Sequence, residues 1–370
     1  MKSIEPARPA HRFGPTQHAA LVTPLSGPLA RFGRSGSAAL QVWAGTAGIA
    51  LEVIDAYPSV AAAVVTAEAR RPDVLFGPYG TGPAVAAARA SVGVLWNHGG
   101  ATARLGRPAY PRVVNLPSPA RTYLAAVLDA LVADSLPAGS EIVLLHGESG
   151  FGREVADGTA VAAQRLGVAV HPVGFPLGQG PAAFERAPGG DVLLSAGSFE
   201  DDVAIAALAF RRRWRAIGLV AAGVDEAAHA LGRRVEGLYG PCQWMADTSP
   251  EPGDGPDADW FVTRYQHATG APPPYPAAAA FAAGVIWQRC TRDAKTTDPE
   301  PVLDASWNLD TTTMFGRFRL DPLTGVQTGH QIRVVRWQHG QRIPVEHTPA
   351  QPHSPLQQCA TPSAATGTGT

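Results

Sequence analysis

At 370 residues the chain exceeds the size at which one hydrophobic core keeps growing, so two lobes or two domains are expected. Its 45% hydrophobic content is ordinary for a globular protein, while 16% charged residues and a formal net charge of −1 supply no long-range attraction for a polyanion. Nucleic acid and anionic membrane surfaces are therefore not expected partners.

The N-terminal arm, residues 1–18, lacks the basic start and apolar stretch of an export signal, and it offers no cysteine for lipidation. As written, the chain reads as cytoplasmic or as missing a leader. Short apolar strands are expected at 18–25, 50–55, 74–77, 92–97 and 113–116, then at 142–146, 168–173, 192–196, 216–220 and 237–241. Alanine-rich helices fill the gaps at 36–44, 59–70, 83–90, 121–133, 152–165, 200–213, 257–268 and 276–292. Such steady alternation predicts an α/β architecture of doubly wound parallel sheets covered on both faces. Residues 248–257 and 271–276 read as Pro-rich loops. Residues 314–320 and 331–338 alternate apolar and polar positions around the turn Asp321–Gly325, which predicts a hairpin. The Ser/Thr/Pro/Ala/Gly-rich end, 349–370, is expected to be disordered. No run approaches the roughly 18 apolar residues of a spanning helix, so direct membrane insertion is not expected.

Several strands end in small or polar clusters, and ligands of open α/β sheets sit beyond the carboxyl ends of the strands. In Asp73-Val-Leu-Phe-Gly-Pro-Tyr-Gly-Thr-Gly82 a buried strand runs into glycines and Thr81, and a helix with Pro83 near its first turn follows. Close-approaching backbone amides, the Thr81 hydroxyl and a helix dipole then face one spot, which suits a carboxylate.

Catalytic and cofactor motifs do not fit. No GxGxxG stands between strand and helix, no GxxxxGK[ST] occurs, and no cofactor is implied. Gly147-Glu-Ser-Gly-Phe151 falls short of a nucleophile elbow because Phe151 stands where glycine is needed, so a hydrolase using Ser149 or Ser198 is the weaker alternative. The eleven histidines lack metal spacing and read as surface or loop imidazoles; Cys242, Cys290 and Cys359 fit neither zinc nor a disulfide framework. Asp201, Asp202, Asp225 and Glu226 adjoin helix starts, where capping alone explains acids. Arg211–Arg215 reads as a solvated helix end.

The ordered loops resemble the leucine/isoleucine/valine-binding group of type I periplasmic-binding-fold proteins, the substrate-binding components of ABC importers. The matching stretches are Val22–Gly33, Asp73–Gly82, Leu95–Thr102, Gly147–Arg153, Val235–Gly240, Pro274–Ala283 and Phe315–Asp321, spanning about 19–341. Two departures stand out: the connection between Ala44 and Ala50 is trimmed, and Gly218–Gly223 carries no acid for a ligand ammonium, with Asp225 and Glu226 only downstream.

The resemblance implies two lobes joined by three crossovers, with a ligand trapped between them: 19–118 plus 246–329, and 119–245 plus 330–344. It implies a non-enzymatic protein delivering a small carboxylate-bearing solute, an amino acid or amide-like derivative, to a permease and its ATPase. A cytoplasmic ligand sensor on the same fold is the alternative. Carried over loop by loop, Phe32 and Tyr79 would wall the pocket, and Gly80, Thr81 and the Gly99, Gly100 and Ala101 backbone would hold the carboxylate. Phe151 and Ser198 would close from the other lobe, with Glu200 or Asp225 as polar partner and Trp244 and Tyr275 at one end.

Overall fold

A computed structural model describes residues 17–346. Most of the N-terminal arm and all of the 349–370 tail lie outside these residues. Strands β1 (His18–Thr23), β2 (Ala50–Asp55), β3 (Val74–Phe76), β4 (Leu95–Asn97) and β5 (Val113–Asn115) form an all-parallel sheet in the order β2-β1-β3-β4-β5. Helices α1 (Ala30–Ala47), α2 (Val60–Glu68) and α3 (Thr81–Ala90) connect its first strands. Because side chains alternate along a strand, Leu21 and Phe76 pack on one face while Val22 and Leu75 pack on the other, and both faces are buried.

The second sheet follows from α4 (Tyr123–Ala133), β6 (Glu141–Gly147), α5 (Gly150–Leu166), β7 (Ala169–Phe175), α6 (Gly180–Arg186) and β8 (Val192–Ala196). It continues through α7 (Phe199–Ala209), β9 (Ala216–Leu219), α8 (Glu226–Leu231) and β10 (Tyr239–Cys242). Leu144 faces the cluster that holds α4 and α5, whereas Val143 and Leu145 face the α6, α7 and α8 side. The chain then returns to the first sheet as α9 (Ala258–Thr269), α10 (Tyr275–Ala294) and α11 (Pro299–Asn308). Together with α1 these helices bury Trp43, Phe281 and Trp287 against the first sheet.

The expected hairpin around Asp321 is not formed. Residues 316–319 are β12 (Gly316–Arg319), paired with the preceding β11 (Asp310–Thr313). Residues 333–338 are β13 (Arg333–Gln338), which joins the second sheet antiparallel to β10 and turns into β14 (Gln341–Pro344). The second sheet therefore runs β14-β13-β10-β9-β8-β6-β7. The two alternating segments are split because the chain crosses between sheets at His330. Helices α6, α8 and α11 and strand β11 also lay outside the expectation, each short and flanked by loop residues.

Helix α1 starts six residues before its expected first residue, 36, which places Arg31 and Phe32 in its first two turns. Gly33 makes this possible: a Cβ there would stand 1.8 Å from the Pro24 carbonyl oxygen. Past Gly48, in the left-handed conformation at φ 69°, only Ile49 separates α1 from β2, which is the trimmed connection seen in the sequence.

Three passes of chain between the sheets are tied side by side. Ser118 Oγ bonds the His330 ring at 2.7 Å, the Ser118 amide donates to Gln243 at 3.3 Å, and Gln327 donates to the Leu116 carbonyl at 3.2 Å. The His330 ring also stacks on Phe315 at 4.4 Å, and burial pushes its pKa down to about 4.

Candidate ligand-binding site

A cavity of about 640 Å³ opens where the carboxyl ends of both sheets face each other. It is bounded by the residues that follow β1, β2, β3 and β4 on one side and β6, β7, β8, β9 and β10 on the other. The first turns of α1, α3, α5 and α7 all border it, and the leading amides of a helix have no intrahelical acceptor. The summed field favours an anion.

The loop ending β3 is the most developed of these anion-friendly ends. Gly80 caps α3 at φ 101°, and a Cβ there would meet Leu29 Cδ1 at 2.7 Å, so only glycine fits without strain. Its amide donates to the Gly99 carbonyl at 3.0 Å, which joins the β3 and β4 loops. Pro83 removes one first-turn donor, leaving the Thr81 and Gly82 amides free of intrahelical partners. The Thr81 hydroxyl makes no hydrogen bond among the described residues. Beside it, Asn97 Oδ1 takes the Gly99 and Gly100 amides at 3.3 and 2.7 Å, so Ala101 is the amide of that loop left without a partner among the described residues.

Aromatic rings wall the cavity. Phe32 stacks on Tyr79 with centroids 4.6 Å apart, and Tyr79 and Tyr275 share a 2.6 Å hydrogen bond between hydroxyls. Across from them Phe151 meets Tyr123 edge-on at 5.6 Å. Burial pushes the Tyr79 phenol up to about 12 and those of Tyr123 and Tyr275 well above their ordinary value, so all three stay protonated. Tyr57 and Leu177, each 54% exposed, stand at the rim from opposite sheets. Arg31 bridges the rim as well: it bonds Glu200 at 3.1 Å and lies over the rings of Phe32 and Phe199 at 4.6 and 4.4 Å.

Of the twelve site residues expected from sequence, Phe32, Tyr79, Gly80, Thr81, Gly99, Ala101, Phe151, Ser198 and Tyr275 border this cavity. Gly100, Asp225 and Trp244 stand outside its lining. Gly100 is held by Asn97, and a Cβ on it would strike Ala84 at 2.3 Å. Asp225 forms a two-pronged pair with Arg342 at 2.7 Å. Trp244 is a core residue, its ring nitrogen donating to the Met314 carbonyl and its ring packed edge-on against Phe261. Glu200 does border the cavity, paired with Arg31, while Glu226 stands outside the lining and its charge helps raise the Tyr79 and Tyr275 phenols.

The second-sheet side carries polar side chains already engaged. Ser149 caps α5 through Gly152, and Ser198 forms a capping box with Asp201 at the start of α7. Neither serine is hydrogen-bonded to a histidine among the described residues. Asp202, 1% exposed, accepts from Ser195 Oγ and the Gly197 and Ala221 amides at 2.7, 2.8 and 3.0 Å. Burial still raises its pKa to about 7, against these donors. His98, expected as a surface or loop imidazole, directly follows β4 in a buried place and is 1% exposed. Its place at the end of β4, directly before two glycines, was the available signal.

With this geometry in place, a family model described as periplasmic binding protein matches residues 16–342. The chain belongs to the periplasmic binding protein family. That family is one of non-enzymatic solute-binding receptors, and the fold is the type I periplasmic binding fold. Among solved structures, a leucine-binding protein, LivK, from Thermotoga maritima is 17% identical with a TM-score of 0.73, over 89% of this chain and 97% of that one. An ABC-transporter solute-binding protein from R. palustris, solved with benzoate, is 15% identical with a TM-score of 0.73, covering 90% and 96%. A branched-chain amino acid ABC transporter periplasmic ligand-binding protein from Burkholderia xenovorans is 14% identical at 0.74, covering 90% and 95%. No curated protein sequence matches this chain. At these identities the likeness carries the fold. Among the described residues no helix is long and apolar enough to cross a membrane.

Proposed function

We propose that this protein traps a small carboxylate-bearing solute, an amino acid or amide-like derivative, between two lobes and presents it to the permease and ATPase of an ABC-type importer. The observation that carries the reading is the unpartnered set formed by the Thr81 hydroxyl, the first-turn amides of α3 and the Ala101 amide, all bordering one cavity. We place the lobe boundaries at 19–118 plus 246–329 and 119–245 plus 330–344, so the tied passes at Ser118, Gln243 and His330 form the hinge.

Within that class one observation favours an aromatic carboxylate over an α-amino acid. Asp225 is paired with Arg342, Glu226 stands outside the lining, and the two acids that do border the cavity are engaged, Glu200 by Arg31 and Asp202 by Ser195 Oγ and two amides, so an ammonium group meets no free acid. The stacked Phe32 and Tyr79 rings offer a face to an aryl group. The leucine-binding and benzoate-bound neighbours bracket these two choices.

A ligand that binds only the folded, closed arrangement stabilises it by about 2.7 kcal/mol at one hundred times Kd. A thermal-shift panel of amino acids, amides and aromatic carboxylates should therefore contain compounds that raise the melting temperature visibly. A panel without any shift would refute the proposed solute class. The transport half is tested by uptake: cells lacking this gene should lose import of the compound the panel finds.

A further inference from the structure

Three phenols border the cavity, and each carries one proton that has to go somewhere. Tyr79, Tyr123 and Tyr275 all stay protonated, so each brings one O–H to donate and an oxygen that accepts. Tyr79 and Tyr275 share a single hydrogen bond of 2.6 Å, which uses one of their two protons whichever ring donates. The other proton has no acceptor among the described residues. The Tyr123 oxygen accepts from Gln243, and the direction of that bond is fixed: the Ser118 amide donates to Gln243 Oε1 at 3.3 Å, so the nitrogen end of the Gln243 amide faces Tyr123. The Tyr123 proton therefore also lacks an acceptor among the described residues. Two phenolic donors are left over on the walls of one cavity, where the Tyr79 and Tyr275 side chains are only half-buried. A donor enclosed without an acceptor is costly, so a bound ligand has to supply one.

The surrounding charge decides which acceptor suits them. Burial is the main reason these phenols hold their protons, and the rings also act on one another, which puts the three hydroxyls in one neighbourhood. The charge of Glu226 adds to this at Tyr79 and Tyr275 and that of Glu154 at Tyr123, while Arg31 opposes it at Tyr79. A second carboxylate on the ligand would meet the field of those two acids, and an ammonium, which only donates, offers the leftover protons nothing. A carbonyl or ether oxygen accepts without bringing charge. We propose that the hydroxyls of Tyr79, Tyr123 and Tyr275 read an uncharged acceptor oxygen on the ligand, so that the site selects a carboxylate carrying a keto or alkoxy group. This rests on the carboxylate-binding reading above, and it adds a second polar anchor to the Thr81 loop.

The test uses pairs of matched shape on the whole protein: 3- and 4-acetylbenzoate against the isopropylbenzoates, 3- and 4-methoxybenzoate against the ethylbenzoates, and 4-oxopentanoate against 4-methylpentanoate. Isophthalate and terephthalate serve as charged controls. Calorimetry on wild type, on Tyr123→Phe and on Tyr79→Phe combined with Tyr275→Phe gives the affinities. The combination is needed because removing one hydroxyl of the pair only frees the proton of the other. At least one keto or alkoxy member should bind wild type about tenfold tighter than its apolar partner, the value of one buried hydrogen bond. That ratio should fall to within about twofold in at least one of the two variants; a packing loss common to both members cancels in it. Acceptor members that bind wild type no better than their apolar partners would overturn the inference without any variant. So would a ratio that survives in both variants, or a dicarboxylate that outbinds every keto and alkoxy member. If carboxylates bind but any of these results appears, only the tyrosine role falls; if none of the probes binds wild type, the carboxylate reading falls and takes this inference with it.

Discussion

On the first-sheet side of the cavity, the Thr81 hydroxyl and the Ala101 amide have no protein partner among the described residues. On the second-sheet side, Ser149 and Ser198 cap helices, and Asp202 is held by three donors. The difference teaches a division of labour: side chains of the first side are left open for a ligand, while those of the second side fix loop shape and offer mainly backbone and rings. Substitutions on the two sides should therefore be read out by different measurements.

The largest expected effect lies on the second side. Asp202→Leu leaves Ser195 Oγ and the Gly197 and Ala221 amides unmet in the interior, at ~1–3 kcal/mol each, so unfolding free energy should fall by about 3 kcal/mol or more. Urea denaturation measures it, and a wild-type midpoint would break the claim that Asp202 is structural.

The pH response follows. Burial holds His98 and His330 near 4 against an ordinary 6.5. The unfolded chain binds those protons first, so stability present above about pH 6.5 is lost as pH falls through about 4, at ~1.4 kcal/mol per unit for each ring. Asp202, raised from 3.8 to about 7, acts oppositely: its contribution is present below its unfolded value and lost as pH rises through about 7. Between pH 6.5 and 4 the three leave a net loss of about one proton's worth. Denaturation at half-unit intervals should show this slope, flattened in His330→Gln and steepened in Asp202→Asn.

The smallest effect is at the rim, where Arg31 reaches from α1 to Glu200 of α7. Both side chains are solvent-accessible, so Glu200→Gln should speed ligand release by no more than about fivefold, and the difference should shrink in high salt. Stopped-flow release at two salt concentrations sharpens the picture; a salt-independent change would mean that Arg31 acts through its Phe32 and Phe199 ring contacts instead.

Much of this architecture was legible because strand period and helix composition are local signals: β2 and β8 occur at the expected residues. The Thr81 loop was legible for the same reason, its glycines and Pro83 announcing a tight turn into a helix. What escaped depended on distant partners. Trp244 and Asp225 look like site residues in sequence, but Met314 and Arg342 claim them from 70 and 117 positions away. The 331–338 segment carries a strand pattern, yet nothing in that pattern names β10 rather than β12 as its neighbour. The burial of His98 was not legible because it follows from α1 and α10 closing over a residue that reads as a loop imidazole in sequence.

The division between the two sides is tested most directly by titrating Thr81→Val and Ser198→Ala, in parallel, with the tightest carboxylate from the thermal-shift panel. Thr81→Val keeps the shape and removes a donor to an anion, a bond of ~1.5–3 kcal/mol, so affinity should drop about ten- to a hundredfold with the ligand-free melting temperature unchanged. Ser198→Ala removes a helix cap of ~1 kcal/mol, so the ligand-free protein should melt lower while affinity stays within about threefold. Unchanged affinity in Thr81→Val, or a larger loss in Ser198→Ala, would contradict the account and move the carboxylate to the second side of the cavity.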